Sequence, residues 1–283
     1  MILFKKSKDL KNFLEEQRKQ GIPVGFIPTM GALHEGHLSL LDKAKTNKEL
    51  TVCSIFINPT QFNDPGDFSN YPVTLENDIT LLEGSGCEIL FLPDQDEIYP
   101  SDSDEQPFYD LGILETVLEG HYRPGHFQGV CMVVDRLLSI VNPASLYLGQ
   151  KDYQQCLVIK KLLKITGHHK STEIVICPTL RESNGLAMSS RNMHLTKEEK
   201  KQAGEIYQSL QLIKGGLAEG DLEDLKRKAM RRLIEKNFKV DYIEIADAET
   251  LQPAFRWDGD QKLIALAAAF LGKIRLIDNL PLN

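Results

Sequence analysis

Residues 24–37 read Val24-Gly25-Phe26-Ile27-Pro28-Thr29-Met30-Gly31-Ala32-Leu33-His34-Glu35-Gly36-His37. The first four suit a buried strand, and the run Leu38 to Ala44 that follows has the pattern of a helix. A strand, a small-residue turn and a helix start together form a cradle for an anion, because the turn Thr29-Met30-Gly31 is expected to expose backbone N–H groups at the positive end of the helix. His34 and His37 stand three apart and share a helix face, while Gly36 between them leaves room for a flat ring or a ribose. Two imidazoles beside a phosphate can neutralise charge developing on it. Zinc is the sharp alternative, but the metalloprotease pattern sets its histidines four apart, with two residues between Glu and the second His, and here there is one. An ordinary capped helix start remains open on these residues alone.

Outward from this stretch, apolar runs of strand length recur at Thr51 to Ile57, Glu88 to Leu92, Leu146 to Leu148 and Glu173 to Cys177. Helical patterns lie between them at Leu75 to Leu82, Val130 to Ile140 and Gln154 to Ile165. Such alternation predicts an α/β fold, a Rossmann-like parallel sheet covered on both faces, with ligands beyond the carboxyl ends of its strands. After Cys177 comes a polar loop, Pro178 to Arg191, then charged amphipathic helices around Glu198 to Leu217 and Leu222 to Asn237, then strand candidates at Asp241 to Ile245, Lys262 to Ala268 and Ile274 to Ile277. This order predicts a smaller α+β C-terminal domain, dividing the chain into residues 1–177 and 178–283. The acidic stretch Asp94 to Glu105 is expected as a solvated loop.

Bulk properties narrow the function classes. The chain has 283 residues, 42% hydrophobic and 26% charged, ordinary for one or two globular domains. Neither a membrane span nor the apolar core of a secretory signal is present, so a soluble cytoplasmic protein is expected. The net charge of −7, with Lys and Arg dispersed, argues against nucleic acid while leaving room for a small anion in a local pocket. Five scattered cysteines without a Cys-x-x-Cys pair read as buried reduced thiols.

Three further clusters fall where such a cleft needs polar groups. Asn58-Pro59-Thr60-Gln61 ends the second strand, where Asn58 and Gln61 can recognise a hydroxyl or carboxylate or simply make a turn. Gly149-Gln150-Lys151-Asp152 ends another strand; Lys151 offers a cation for phosphate, Asp152 a helix cap or a ribose contact, and Gln155 faces the same cleft as Gln61 if both strands are central. A surface lysine beside a capping Asp is the plainer reading. Met188-Ser189-Ser190-Arg191 supplies two hydroxyls and a guanidinium suited to pyrophosphate, and the approach Ser183-Asn184-Gly185 would let it close over nucleotide, unless the stretch is a linker. Glu119 to Phe127 is rich in polar and turn residues without a single assignment.

The order Pro-Thr-Met-Gly-Ala-Leu-His-Glu-Gly-His, Asn-Pro-Thr-Gln-Phe, Arg-Pro-Gly-His-Phe, Gly-Gln-Lys-Asp and Met-Ser-Ser-Arg-Asn closely resembles the pantothenate synthetase (pantoate–β-alanine ligase) family over nearly the whole chain. The first motif is similar to the His-x-Gly-His signature of the nucleotidyltransferase superfamily, and Met-Ser-Ser-Arg to its mobile Lys-Met-Ser-Lys-Ser segment. The resemblance implies that ATP adenylates pantoate, releasing pyrophosphate, and that β-alanine then displaces AMP. It implies Met30, Gly31, Ala32, Leu33, His34, Glu35, Gly36 and His37 at ATP, with His34 and His37 at its phosphates and His37 as an acid. It also implies Gly149, Gln150, Lys151 and Asp152 at ATP, Leu180 at adenine, Met188, Ser189, Ser190 and Arg191 over the phosphates, and Gln61 and Gln155 on pantoate, with Gln61 reaching β-alanine. His34, His37, Lys151 and Arg191 are thereby the expected catalytic set. Mg²⁺ is implied as the counter-ion of ATP, with Asp78 near it, and a homodimer is implied as the assembly. Two departures stand out: Val73 where the family pattern has Arg, and Gln128 where Arg often precedes Gly-Val. Rival classes are a cytidylyltransferase or tRNA-charging enzyme on the same fold, and a silent nucleotide-binding scaffold.

Overall fold

A computed structural model describes residues 1–100, 107–218 and 220–283. The first half runs β1 (Ile2–Phe4), α1 (Ser7–Lys19), β2 (Val24–Thr29), α2 (Glu35–Thr46), β3 (Leu50–Ile55), α3 (Pro65–Ser69), α4 (Leu75–Gly84), β4 (Ile89–Phe91), α5 (Gln95–Ile98), α6 (Leu118–Tyr122), α7 (His126–Val141), β5 (Ser145–Gly149), α8 (Tyr153–Thr166) and β6 (Glu173–Cys177). Its strands form one sheet in the order β1-β4-β3-β2-β5-β6, with every neighbouring pair parallel. Central strands buried on both faces need apolar residues throughout, which is why Phe26, Val52, Ile89, Leu90 and Leu146 all have no exposure. The α/β expectation holds. The sequence reading passed over β1 and α1, although α1 buries Leu10 and Leu14 completely on one stripe.

Chain order reverses between β2 and β5: the chain builds toward β4 on one side of β2 and toward β6 on the other. These two strands pair only at Gly25–Ser145 and Phe26–Leu146, so their carboxyl ends run on without a ladder between them. A crevice at such a switch point is the usual ligand site of an open parallel sheet.

The second half contains α9 (Lys197–Ala203), α10 (Glu205–Gly215), β7 (Gly220–Asp221), α11 (Glu223–Glu235), β8 (Lys239–Asp247), β9 (Arg256–Trp257), β10 (Leu263–Leu271) and β11 (Ile274–Pro281). The strands β11-β10-β8 make an antiparallel sheet, and β7 pairs with β9. The helix expected over Glu198 to Leu217 is two helices meeting at Gly204. One face of the sheet closes a core with α10 and α11, while Ile264 and Leu266 of β10 join the core of the first half. Burial on both sides explains why β10 reads Leu-Ile-Ala-Leu-Ala-Ala-Ala-Phe-Leu instead of alternating.

The acidic stretch is less loop-like than expected where it is described. Gln95–Ile98 is helical, Ile98 is buried, and Glu97 accepts hydrogen bonds from Lys6 and from Ser7. Residues 101–106 lie outside the described residues. All five cysteines are free and buried, and no helix among the described residues is long and apolar enough to cross a membrane.

Candidate active site

A cavity of about 240 Å³ lies at the carboxyl ends of β2 and β5. Its walls include Met30, His34, Gly36 and His37 from the first turn, Asn58 and Gln61 after β3, and Gly149, Lys151, Asp152 and Gln155 after β5, with Leu180, Met188, Ser189, Ser190 and Arg191 across from them. Tyr71, Arg123, Lys151, Asp152, Ser189 and Arg191 also wall a larger cleft of about 1110 Å³ reaching β11. Together the two have the capacity of a nucleotide-sized site.

The first turn is built differently from the expected N–H cradle. Asp78 of α4, 1% exposed, accepts the N–H groups of Ala32 (2.9 Å) and Leu33 (2.8 Å) and the Thr74 hydroxyl (3.0 Å). Gly31 N–H bonds the Thr29 hydroxyl. These three donors face protein. Asp78, the residue expected near metal, lies behind the turn with its carboxylate engaged there, and no group of three His, Cys, Asp or Glu side chains among the described residues could hold a metal ion.

His34 is the N-cap of α2, its Nδ1 accepting from Gly36 N–H, and His37 Nδ1 accepts from His34 N–H at 3.4 Å. With each Nδ1 an acceptor, each neutral ring carries its proton on Nε2. The rings stack with centroids 4.1 Å apart. Burial, then the neighbouring Lys151, lowers His34 to about 4; burial, then His34 itself, lowers His37 to about 3. Both are uncharged donors at neutral pH. Gly36 is required for a second reason as well: a Cβ there would sit 2.8 Å from the His34 ring.

Asn58 and Gln61 divide their work. Asn58, 1% exposed, donates to Gln61 Oε1 (3.2 Å) and to Gly129 carbonyl (3.1 Å), and accepts from Thr60 and Tyr99. Asn58 thus supports Gln61 while itself lining the cavity. The loop presses so closely on α7 that a Cβ at Gly129 would lie 2.1 Å from the Thr60 carbonyl oxygen. The segment left unassigned in the sequence also belongs here: His126 Nδ1 lies 2.7 Å from Gln61 carbonyl oxygen, Arg123 lies 3.1 Å from His126 Nε2, and both line the cavity.

Across the cavity, the Lys151 ammonium meets Asp152 at 3.5 Å. Asp152 makes no cap bond to α8. Burial works against its charge, but Lys151 and Arg191 outweigh it and hold the carboxyl below its usual range. Arg191 pairs with Asp67 at 2.8 Å and sits over Tyr71. Ser190 donates to Ala32 carbonyl (2.9 Å), anchoring its loop to the first turn. The approach expected to be flexible is tied: Asn184 bonds Lys200 carbonyl and Leu186 N–H, and residues 181 and 187 bridge.

Not every expected ATP residue reaches the cavity wall. Gly31, Ala32 and Leu33 are buried behind the turn, Glu35 is exposed, and Gln150 bonds Asn279. Sequence reading missed Tyr71, Asp67, Arg123 and His126, of which only the last two carried a signal, in the unassigned polar segment. The departures lie off the site: Val73 is exposed, and Gln128 bonds Tyr109 backbone and Glu115, so an Arg here is replaced by a structural amide.

A sequence profile described as pantoate-beta-alanine ligase matches residues 2–281. A pantothenate synthetase of Cytophaga hutchinsonii is 41% identical over 99% of both chains. The crystal structure of a Thermus thermophilus pantothenate synthetase superposes with a TM-score of 0.90 at 37% identity, covering 100% of this chain and 99% of that one. A Francisella tularensis pantoate-beta-alanine ligase, complexed with beta-gamma ATP and beta-alanine, gives 0.82 at 37% identity, covering 99% and 97%. With the profile spanning almost its full length and the relatives matched end to end, the chain belongs to the pantoate–β-alanine ligase family.

Proposed function

We propose that the cavity between β2 and β5 is where this ligase condenses pantoate with β-alanine, with ATP as the activating substrate. The observation that carries the assignment is the convergence of His34, His37, Gln61, Lys151, Gln155 and Arg191 on one cavity at the switch point. A pantoate carboxylate oxygen attacks the α-phosphorus, the bond to the bridging oxygen breaks, and pyrophosphate leaves. The β-alanine amine then attacks the acyl carbon, loses a proton, and AMP departs with the former carboxylate oxygen.

No enzyme nucleophile is needed, so positioning and charge stabilisation dominate. Lys151 and Arg191 balance the charge on the leaving phosphates, and the Nε2–H groups of His34 and His37 donate to phosphate oxygens without a proton changing hands. Gln61 and Gln155 hold pantoate from opposite walls. Residues 1–177 supply the nucleotide and pantoate site, and residues 178–283 carry the Met188–Arg191 loop over it. Mg²⁺ enters this reading solely as a counter-ion carried by the triphosphate, and the chain acts as a homodimer, checked by light scattering of the purified protein.

The test is substrate omission. Multiple turnovers of AMP and pyrophosphate are expected when pantoate, β-alanine and ATP are all present, and none when one is left out. Turnover with CTP and a phospho-alcohol instead would move the assignment to a cytidylyltransferase.

A further inference from the structure

Two side chains near the end of the chain bond the turn that carries Lys151 and the hairpin that leads into Met188–Arg191, without lining the cavity between β2 and β5. Asp278 and Asn279 are neighbours on β11, each 2% exposed. Asn279 Nδ2 donates to the carbonyls of Gln150 (2.9 Å) and Lys151 (2.8 Å), and its Oδ1 accepts from Gln150 Nε2 at 3.3 Å. The amide is fully satisfied and cannot flip without setting oxygen against oxygen. Asp278 meets Arg181 through two contacts of 2.6 and 3.0 Å, and Arg181 also donates to Asn279 carbonyl and Gly185 carbonyl while stacking on Tyr207. Arg181 begins the short hairpin, closed by Met188 N–H on Leu180 carbonyl, that launches residues 188–191.

We infer that Asn279 is a positioning residue of the reaction. From the C-terminal sheet it fixes the backbone that carries Lys151, and through Asp278 and Arg181 the same strand registers that backbone against the Met188–Arg191 loop. The inference rests on the phosphate role proposed above for Lys151. A lysine ammonium is a point charge on a flexible stem, so its aim depends on where its backbone is held. Displacing a catalytic group by ~1 Å costs on the order of 10²-fold in rate.

The test is a double-mutant cycle in the full-length enzyme, measuring kcat and the KM values for pantoate and ATP. Asn279→Ala is expected to lower kcat roughly 10- to 100-fold with the pantoate KM nearly unchanged, since a misplaced ammonium acts on the transition state. In a Lys151→Ala background the same change is expected to cost less than about threefold, because the group being aimed is gone. Asn279→Asp, which points a carboxylate at two carbonyls, is expected to be at least as damaging, and Asn279→Ser, keeping one donor, intermediate. Should the Ala variant not fold, the cycle is run on the Ser variant. Equal losses in both backgrounds, or an Asn279→Ala enzyme with unchanged kcat, overturn the inference. If Lys151→Ala alone keeps full rate, the phosphate role of Lys151 fails first and the inference falls with it.

Discussion

The two turns that flank the switch point solve the same problem by opposite means. The turn after β2 is held chiefly from within its own half, by Asp78 on its backbone, by His34 on Gly36 N–H and by His37 on His34 N–H, with Ser190 from the second half adding a bond to Ala32 carbonyl. The turn after β5 is gripped from the C-terminal sheet, by Asn279 on its carbonyls and by the Tyr153 hydroxyl, at the start of α8, on Ala248 carbonyl (2.7 Å). The first presents neutral donors on a rigid frame; the second presents a cation whose backbone answers to another part of the chain. Shape and charge are thus supplied from different places. Removing a functional head should spare the fold at the second turn, whereas removing the frame should not at the first.

Lys151→Ala should therefore give the largest change in activity, a loss of about 10²- to 10³-fold in kcat/KM, as for removal of one preorganised donor to a developing charge. Its melting temperature should stay close to that of the parent; a matching fall in stability would erase the contrast. Asp78→Ala should do the reverse, since it leaves two buried N–H groups and a hydroxyl without partners at ~1–3 kcal/mol each. Thermal denaturation should show a drop of several degrees, and an unshifted transition would show that the turn stands without its clamp.

The smallest effect is on pH. His34, His37 and His126 titrate in the folded chain at about 4, 3 and 4 against an ordinary 6.5, chiefly because burial disfavours their charge. The unfolded chain takes up protons first as pH falls, so stability is full above 6.5 and declines from there toward 4. Melting temperatures measured across that window should fall more gently in His126→Gln, and an identical slope would exclude the buried imidazole as a source.

Much of the first turn was legible because its signals are local: a strand period, a small-residue turn, and two histidines at helix spacing. The parallel sheet was legible for the same reason, since βαβ alternation is written in periodicity. What stayed hidden lies in pairings far apart in sequence. Asp78 reaches Ala32 across 46 positions, Ser190 reaches Ala32 across 158, and Asn279 reaches Gln150 across 129. No window around Asp78 shows that its carboxylate is bonded to a turn so far away in sequence. Asn58 is the same case, because a polar residue at a strand end looks alike in sequence whether or not it supports the neighbouring Gln61 side chain.

Gly31 and Ala32 both lie at positive φ, +80° and +49°, and the second is a residue that seldom rests there. The bonds from Asp78 hold that kink whether or not a nucleotide has arrived. A ligand entering the cavity finds the turn already ordered, and none of its affinity is diverted to freezing this part of the chain. An Ala32→Gly enzyme would sit in the same kink without strain yet have more unfolded freedom to lose, so local conformational entropy, and not contact chemistry, is what separates the two.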